Sequence, residues 1–166
     1  MIVNLVIDTS GSMMESDKRL IARNLALVVA QYSRLGYAGM ELRLLAAGMS
    51  PRVIDWNVDA EYPEELLLCD GDIDMQALMA LLSSSKGRVV FITDGAWNEG
   101  EKRAFEALLK SMPAGMVRIV KVGDELGCAL LSFKTRGMVF DAEEILGALD
   151  GWADPSLGDR TEADEW

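Results

Sequence analysis

Ile2-Val3-Asn4-Leu5-Val6-Ile7-Asp8-Thr9-Ser10-Gly11-Ser12-Met13 is the stretch whose reading decides the fold. Apart from Asn4, the run up to Ile7 is apolar, the pattern of a strand buried on both faces of a parallel sheet. It ends in a carboxylate, Asp8, and two hydroxyls follow at alternate positions, Ser10 and Ser12. Gly11, without a Cβ, permits a tight turn between them. A loop curling over the strand end would let side chains 8, 10 and 12 converge. Carboxylate and hydroxyl oxygens suit hard divalent cations, chiefly Mg²⁺, with Mn²⁺ or Ca²⁺ possible. Zinc fits poorly, because the chain has no histidine and its two cysteines, Cys69 and Cys128, lie far apart. The competing reading is that Asp8 and the serines cap a helix N-terminus. That suffices for any one of them, but not for the whole string directly after a strand.

Outward from this segment, strand and helix patterns alternate. A helix is expected from about Lys18 to Leu35, stopped by Gly36. Its apolar stretch, Leu25 to Ala30, implies burial on much of its circumference. Met40 to Ala46 and Arg52 to Trp56 read as strands whose short connection implies an antiparallel pair. An acidic loop, Asn57 to Leu66, follows. Met75, Leu78, Met79 and Leu82 recur at helical spacing, predicting a helix over about Asp74 to Ser83. Arg88 to Thr93 is a buried strand, Glu99 to Ser111 a helix, and Met116 to Val122 a strand. Leu126 to Phe133 is ambiguous between loop and short helix. Gly137 to Phe140 reads as a short last strand and Ala142 to Leu149 as a final helix.

The alternation predicts an α/β fold: a doubly wound, mostly parallel six-stranded sheet with one antiparallel edge strand and helices on both faces. In such sheets ligands sit at strand carboxyl ends near the switch point. Asp8 and Asp94 both fall at strand carboxyl ends.

Asp8-Thr9-Ser10-Gly11-Ser12 resembles the D-x-S-x-S signature of the von Willebrand factor A domain, and Val89-Val90-Phe91-Ile92-Thr93-Asp94-Gly95 resembles that family's strand ending in T-D-G. The resemblance covers roughly residues 1 to 150 and implies a Rossmann-like fold with a metal-ion-dependent adhesion site, in a bacterial stand-alone cytoplasmic type. It implies Ser10 and Ser12 as direct metal ligands, with Asp8 and Asp94 direct or through water. The family also uses a Thr in a loop between the two motifs. The best local match is Cys69-Asp70-Gly71-Asp72-Ile73-Asp74-Met75-Gln76-Ala77-Leu78, which puts Asp72 where Thr is usual. Asp70 and Asp74 are rivals for that place. The expected metal set is therefore Asp8, Ser10, Ser12, Asp72 and Asp94. Three carboxylates would make the ion a weaker electrophile toward a partner's acid than two would.

Around the site, Thr93 is a candidate to hydrogen-bond a ligand, although a β-branched residue in a strand needs no such role. Trp97 either anchors a partner or tucks under the loop. Met13, Met14 and Met49 are candidates for an adaptable rim, with ordinary core packing expected for at least two.

At 166 residues, half of them hydrophobic, the chain is sized for one domain. We expect a von Willebrand factor A domain over 1–152 and an acidic, solvated tail over 153–166, with Trp166 a possible apolar anchor. The formal charge of −11 argues against nucleic-acid or anionic-membrane binding. No apolar segment is long enough to span a bilayer, and no secretion signal is visible. Two cysteines in such a chain read as reduced thiols, so a cytoplasmic location is expected.

The leading functional expectation is a non-enzymatic module that binds an acidic group of a partner through the cation. The resemblance permits partners such as a MoxR-type AAA+ ATPase or a phosphatase or kinase component. The enzymatic alternative is a PIN-like metal-dependent nuclease, reading Asp8, Asp72, Asp74 and Asp94 as the acid cluster; Ser12 and the net negative charge oppose it. A haloacid-dehalogenase-type phosphotransferase would want Asp where Ser10 stands, and no phosphate-cradling G-x-x-x-x-G-K-[ST] loop is present. A third reading is a scaffold with a degenerate site.

Overall fold

The opening run forms β1 (Ile2–Asp8), and its side chains divide between two hydrophobic cores. Val3, Leu5 and Ile7 enter one, and Val6 enters the other. Asn4 is fully buried, yet satisfied: its Nδ2 donates to the Arg88 carbonyl at 3.3 Å and its Oδ1 accepts from Ser85 Oγ at 2.8 Å. The computed structural model describes residues 1–35, 39–123, 130, 133–134 and 137–153.

Five further strands complete the sheet: β2 (Glu41–Ala47), β3 (Arg52–Ile54), β4 (Arg88–Thr93), β5 (Val117–Lys121) and β6 (Val139–Asp141). Their order is β3-β2-β1-β4-β5-β6. β1 pairs in parallel with β2 and β4, β4 with β5, and β5 with β6. Only the edge pair β2–β3 is antiparallel. The chain leaves β1 toward one side of the sheet and later returns to its other side through β4. The carboxyl ends of β1 and β4 therefore flank the switch point, where an open α/β sheet forms its crevice.

Helices cover both faces. From α1 (Lys18–Arg34), Ala22, Leu25, Ala26 and Val29 pack with Ile145, Leu149 and Trp152 of α4 (Ile145–Ala153) in the first core. From α2 (Met75–Ser84) and α3 (Glu99–Ser111), Met75, Leu78, Leu82, Phe105 and Leu108 pack in the second. The expected architecture is the observed one.

Local differences have local causes. α1 buries a narrower stripe than its composition suggests, leaving Ile21 and Val28 each 38% exposed, because it meets the sheet on one side only. The acidic loop contains a 3₁₀ turn, Glu64–Leu67. The final helix is shifted toward the C-terminus. A capping box between Asp141 and Glu144 starts a 3₁₀ turn over Ala142–Glu144, and α4 then runs to Ala153. Trp152 is buried, and its Nε1 donates to the Gly115 carbonyl at 2.7 Å. Gly36, Cys128, the tail after 153 and most of the Leu126 to Phe133 segment lie outside the described residues; Leu130 and Phe133 of that segment are buried in the second core. No helix among the described residues is long and apolar enough to cross a membrane.

Candidate metal centre

β1 delivers Asp8 to the sheet rim with 1% of its surface exposed. The chain then turns into a 3₁₀ helix, Gly11–Asp17, with Ser10 at its N-cap position, but the Ser10 side chain makes no capping bond. Helix capping therefore does not account for this serine. Ser10 instead donates twice to Asp8 Oδ1, from its amide at 2.8 Å and from Oγ at 2.6 Å. Ser10 Oγ lies 3.2 Å from Ser12 Oγ, and Ser12 Oγ donates to Asp94 Oδ1 at 3.2 Å. Asp94 follows directly on β4 and is 4% exposed. Oxygens from two strand ends thus meet as one contiguous group.

Thr93 ties the two ends together. Fully buried, it donates from Oγ1 to Asp8 Oδ2 and accepts the Gly95 amide at 2.9 Å. Asp94 Oδ1 also accepts the Ala96 amide at 3.1 Å. Both carboxylates are oriented by neighbours, as metal-binding carboxylates are.

The donor set fits a hard divalent ion. Neighbouring ligands of an octahedral Mg²⁺ with bonds of about 2.0–2.1 Å stand about 2.9 Å apart. The hydroxyl and carboxylate oxygens here are 2.6 to 3.2 Å apart. Burial pushes the Asp8 carboxyl up to about 6; hydrogen bonds from Ser10 and Thr93 pull it the other way, and the charge of Asp94 adds to the rise. Two buried acids side by side are a site in want of positive charge.

One positive group is already there, and the sequence reading passed over it. Lys18 Nζ lies 2.8 Å from Asp94 Oδ2 and donates to the Ser12 carbonyl at 3.4 Å. Burial works against its charge, but the Asp94 carboxylate outweighs this and holds the ammonium above its ordinary value. Its only signal in the sequence is position: the first residue of α1, six after Ser12.

The backbone of the middle loop packs on the motif. It is fixed by Asp70 N to Thr9 O at 3.0 Å, Gly11 N to Gly71 O at 2.8 Å and Asp74 N to Gly48 O at 2.9 Å. A second residue the sequence reading missed, Glu101, anchors the loop from α3: nearly buried, it accepts the Ile73 amide at 2.9 Å and the Asn98 amide at 2.7 Å. Asp74 caps α2, accepting the Ala77 amide at 2.9 Å. Asp70 and Asp72 are exposed, and neither carboxylate makes a hydrogen bond or ion pair among the described residues. No cluster of three acidic, cysteine or histidine side chains forms among those residues. The structure brings together Asp8, Ser10, Ser12 and Asp94 through hydrogen bonds, and Asp72 makes no hydrogen bond or ion pair with them among the described residues.

Trp97 tucks beneath the turn, its ring 5.5 Å from Phe91 and 4.7 Å from Phe105. Of the three methionines, Met13 alone is in the core. Met14 and Met49 are 44% and 66% exposed, so the expectation of core packing for at least two is corrected. Met14 faces out from the 3₁₀ helix and Met49, on the loop after β2, lies over Gly71.

No family model matches the sequence, and no curated protein matches it. Solved structures do resemble it in fold. BatB from Bacteroides thetaiotaomicron shares 15% identity, covering 92% of this chain and 98% of that one at a TM-score of 0.61. The SpRpn10 VWA domain shares 15% identity over 98% of both chains at 0.58. Proximal thread matrix protein 1 from the mussel byssus, solved with a zinc-occupied MIDAS motif, shares 14% identity over 94% of this chain and 45% of that one at 0.56. With its six-stranded mixed sheet, single antiparallel edge and helices on both faces, the chain has the fold of the von Willebrand factor A domain.

Proposed function

We propose that the chain is a metal-dependent protein-interaction module. The observation that carries this is the convergence of Asp8, Ser10, Ser12 and Asp94 at the switch point, with each oxygen within 3.2 Å of the next. Ser10 and Ser12 would hold the cation, with Asp8 and Asp94 balancing its charge. When bound, the ion supplies a Lewis-acidic position for a carboxylate of a partner protein. Mg²⁺ is the ion these oxygens suit best; the zinc-occupied motif of the mussel protein supports a divalent ion without selecting among them. Asp72 is proposed as an additional, outer acid of the site.

The protein's net charge of −11 repels acidic surfaces at large. We therefore infer a partner that presents one carboxylate within an otherwise basic or apolar surface. Exposed Met14 and Met49 suit the apolar part. A MoxR-type AAA+ ATPase or a phosphatase or kinase component is the partner class proposed, and the cytoplasm the location. Two converging carboxylates, rather than three or four, weigh against the nuclease alternative.

Calorimetric titration of Mg²⁺ and Mn²⁺ tests the reading. Wild type should bind one ion, and Ser12→Ala and Asp94→Asn should not. A ligand that binds only the native state must also raise Tm, so unchanged melting at millimolar Mg²⁺ and Mn²⁺ favours the scaffold. Metal-dependent cleavage of single-stranded RNA, lost in Asp8→Asn, would establish the nuclease instead.

A further inference from the structure

We propose that Lys18 is the site's resident cation: its ammonium neutralises Asp94 in the metal-free protein, and a divalent ion enters by displacing it toward Glu15. This rests on the metal-binding reading above and concerns how that site is controlled.

Lys18 is not an ordinary surface lysine. Its side chain is 17% exposed, and its Nζ is 2.8 Å from the nearly buried Asp94 carboxylate. A carboxylate so withdrawn from water needs a nearby positive charge. The stem of Lys18 lies against Gly123, just beyond β5, where a Cβ would stand 3.3 Å from Lys18 Cε. Gly123 sits at φ +89°, a conformation that favours glycine, and leaves the stem in close contact with its backbone. The backbone also commits Lys18 to the site. Ser16 and Asp17 both adopt positive φ, 50° and 56°, a conformation uncommon outside glycine. This double reversal is a kink at the end of the 3₁₀ segment, and α1 starts directly after it at Lys18.

An ammonium and a dication cannot both sit against Asp94, since they repel at contact distance. Lys18 has somewhere to go. Glu15 Oε2 is 3.6 Å from Nζ, on the solvent side, with its side chain 74% exposed. A flexible four-carbon stem can swing the ammonium to it without moving the backbone. Binding then becomes an exchange of one cation for another, and metal affinity is set partly by how firmly Lys18 holds Asp94.

Lys18→Met keeps the stem and removes the charge; Lys18→Gln is the second variant if Met impairs folding. The experiment is Mn²⁺ titration by calorimetry, with thermal melts in EDTA, on the full chain. The variants should bind Mn²⁺ about tenfold more tightly, within the usual range of coupling between two binding events, and melt lower in EDTA. Adding Asp94→Asn to Lys18→Met should lower the EDTA melt no further than either change alone. Equal Mn²⁺ affinity in wild type and variants overturns the inference and leaves the metal reading standing. Weaker binding by the variants also overturns it, making Lys18 a support for the ligands. Absence of Mn²⁺ binding in wild type and variants alike overturns both.

Discussion

The amide of Gly11 donates to the carbonyl of Gly71 at 2.8 Å, joining the loop that carries the two serines to the loop that carries three aspartates. The two loops are in ordinary van der Waals contact, since a Cβ on Gly11 would stand 3.7 Å from the backbone of Gly71. This fixes the backbone of the middle loop beside the proposed metal site while leaving its acids to differ in role. Asp74 caps α2, whereas Asp72 points at no partner among the described residues. Asp74→Ala should therefore cost about 1 kcal/mol of stability, as loss of an N-cap does, with Mg²⁺ affinity unchanged. Asp72→Thr should leave stability unchanged and weaken Mg²⁺ binding. Urea melts and calorimetry on both variants separate the two, and an Asp72→Thr protein that binds Mg²⁺ like wild type removes Asp72 from the site.

Asp8 links the site to pH. Its carboxyl is raised from 3.8 to about 6, chiefly by burial, so the folded metal-free protein holds a proton there that the unfolded chain has released. Between those two values the unfolded state binds fewer protons, and stability must fall as pH rises. A shift of this size corresponds to about 3 kcal/mol. Urea melts in EDTA should show higher stability at about pH 4 than at about pH 6 from this group, and Asp8→Asn should remove that component. Metal binding has the opposite sign, because an ion favours the ionised acid. Mg²⁺ affinity should drop as pH is lowered through about 6.

How much of this could be read in the chain follows from where the forces are local. β1, β4 and α3 declare themselves by apolar runs and helical periodicity, and the structure keeps the expected bounds of β4 and α3 unchanged. Asp8, Ser10 and Ser12 are legible because one short loop carries them. Asp94 is legible because it ends a buried strand. Lys18 and Glu101 were not. Each acts across more than 25 residues of sequence, Lys18 on Asp94 and Glu101 on the Ile73 amide, and a lone charge at a helix start looks the same whether it meets solvent or a distant carboxylate. The roles of the middle loop's acids are illegible for a related reason. Asp70, Asp72 and Asp74 are chemically alike, and only the backbone bonds of Thr9, Gly11 and Gly48 separate a helix cap from an exposed acid. The end of the last helix was missed because Trp152 is held by Gly115, a contact no local pattern encodes.

The reversal before α1 is strained and therefore removable. Ser16 has φ 50° and ψ 33°, a left-handed conformation that costs a residue with a Cβ about 1–2 kcal/mol. Ser16→Gly should recover up to about 1 kcal/mol, net of glycine's larger loss of freedom on folding. In a chain of this length that is about 2–4 °C in Tm. If the kink serves only to place Lys18, Mn²⁺ affinity should be unchanged, since glycine holds the same turn. Ser16→Pro should disrupt it, because proline fixes φ near −65°. Thermal melts and Mn²⁺ titration of the two variants check this.

Gly95 carries the heaviest steric constraint on the site. It sits at φ +71°, and a Cβ there would stand 2.2 Å from Cγ and 2.4 Å from Cδ1 of the fully buried Leu130. Leu130 is fully buried in the second core and has no open space to turn into, so Gly95→Ala must push that core or the turn. Overpacking and left-handed strain together predict a loss of about 3 kcal/mol. The damage should reach the proposed metal site, because the Gly95 amide donates to Thr93 Oγ1, which in turn donates to Asp8. Leu130→Ala alone should cost about 2–5 kcal/mol through the cavity it leaves. The double variant should lose less than the sum of the two, since shortening Leu130 makes room for the added methyl. Strict additivity in that cycle would show that Leu130 does not press on Gly95, and the strain would then lie in the backbone of the turn alone.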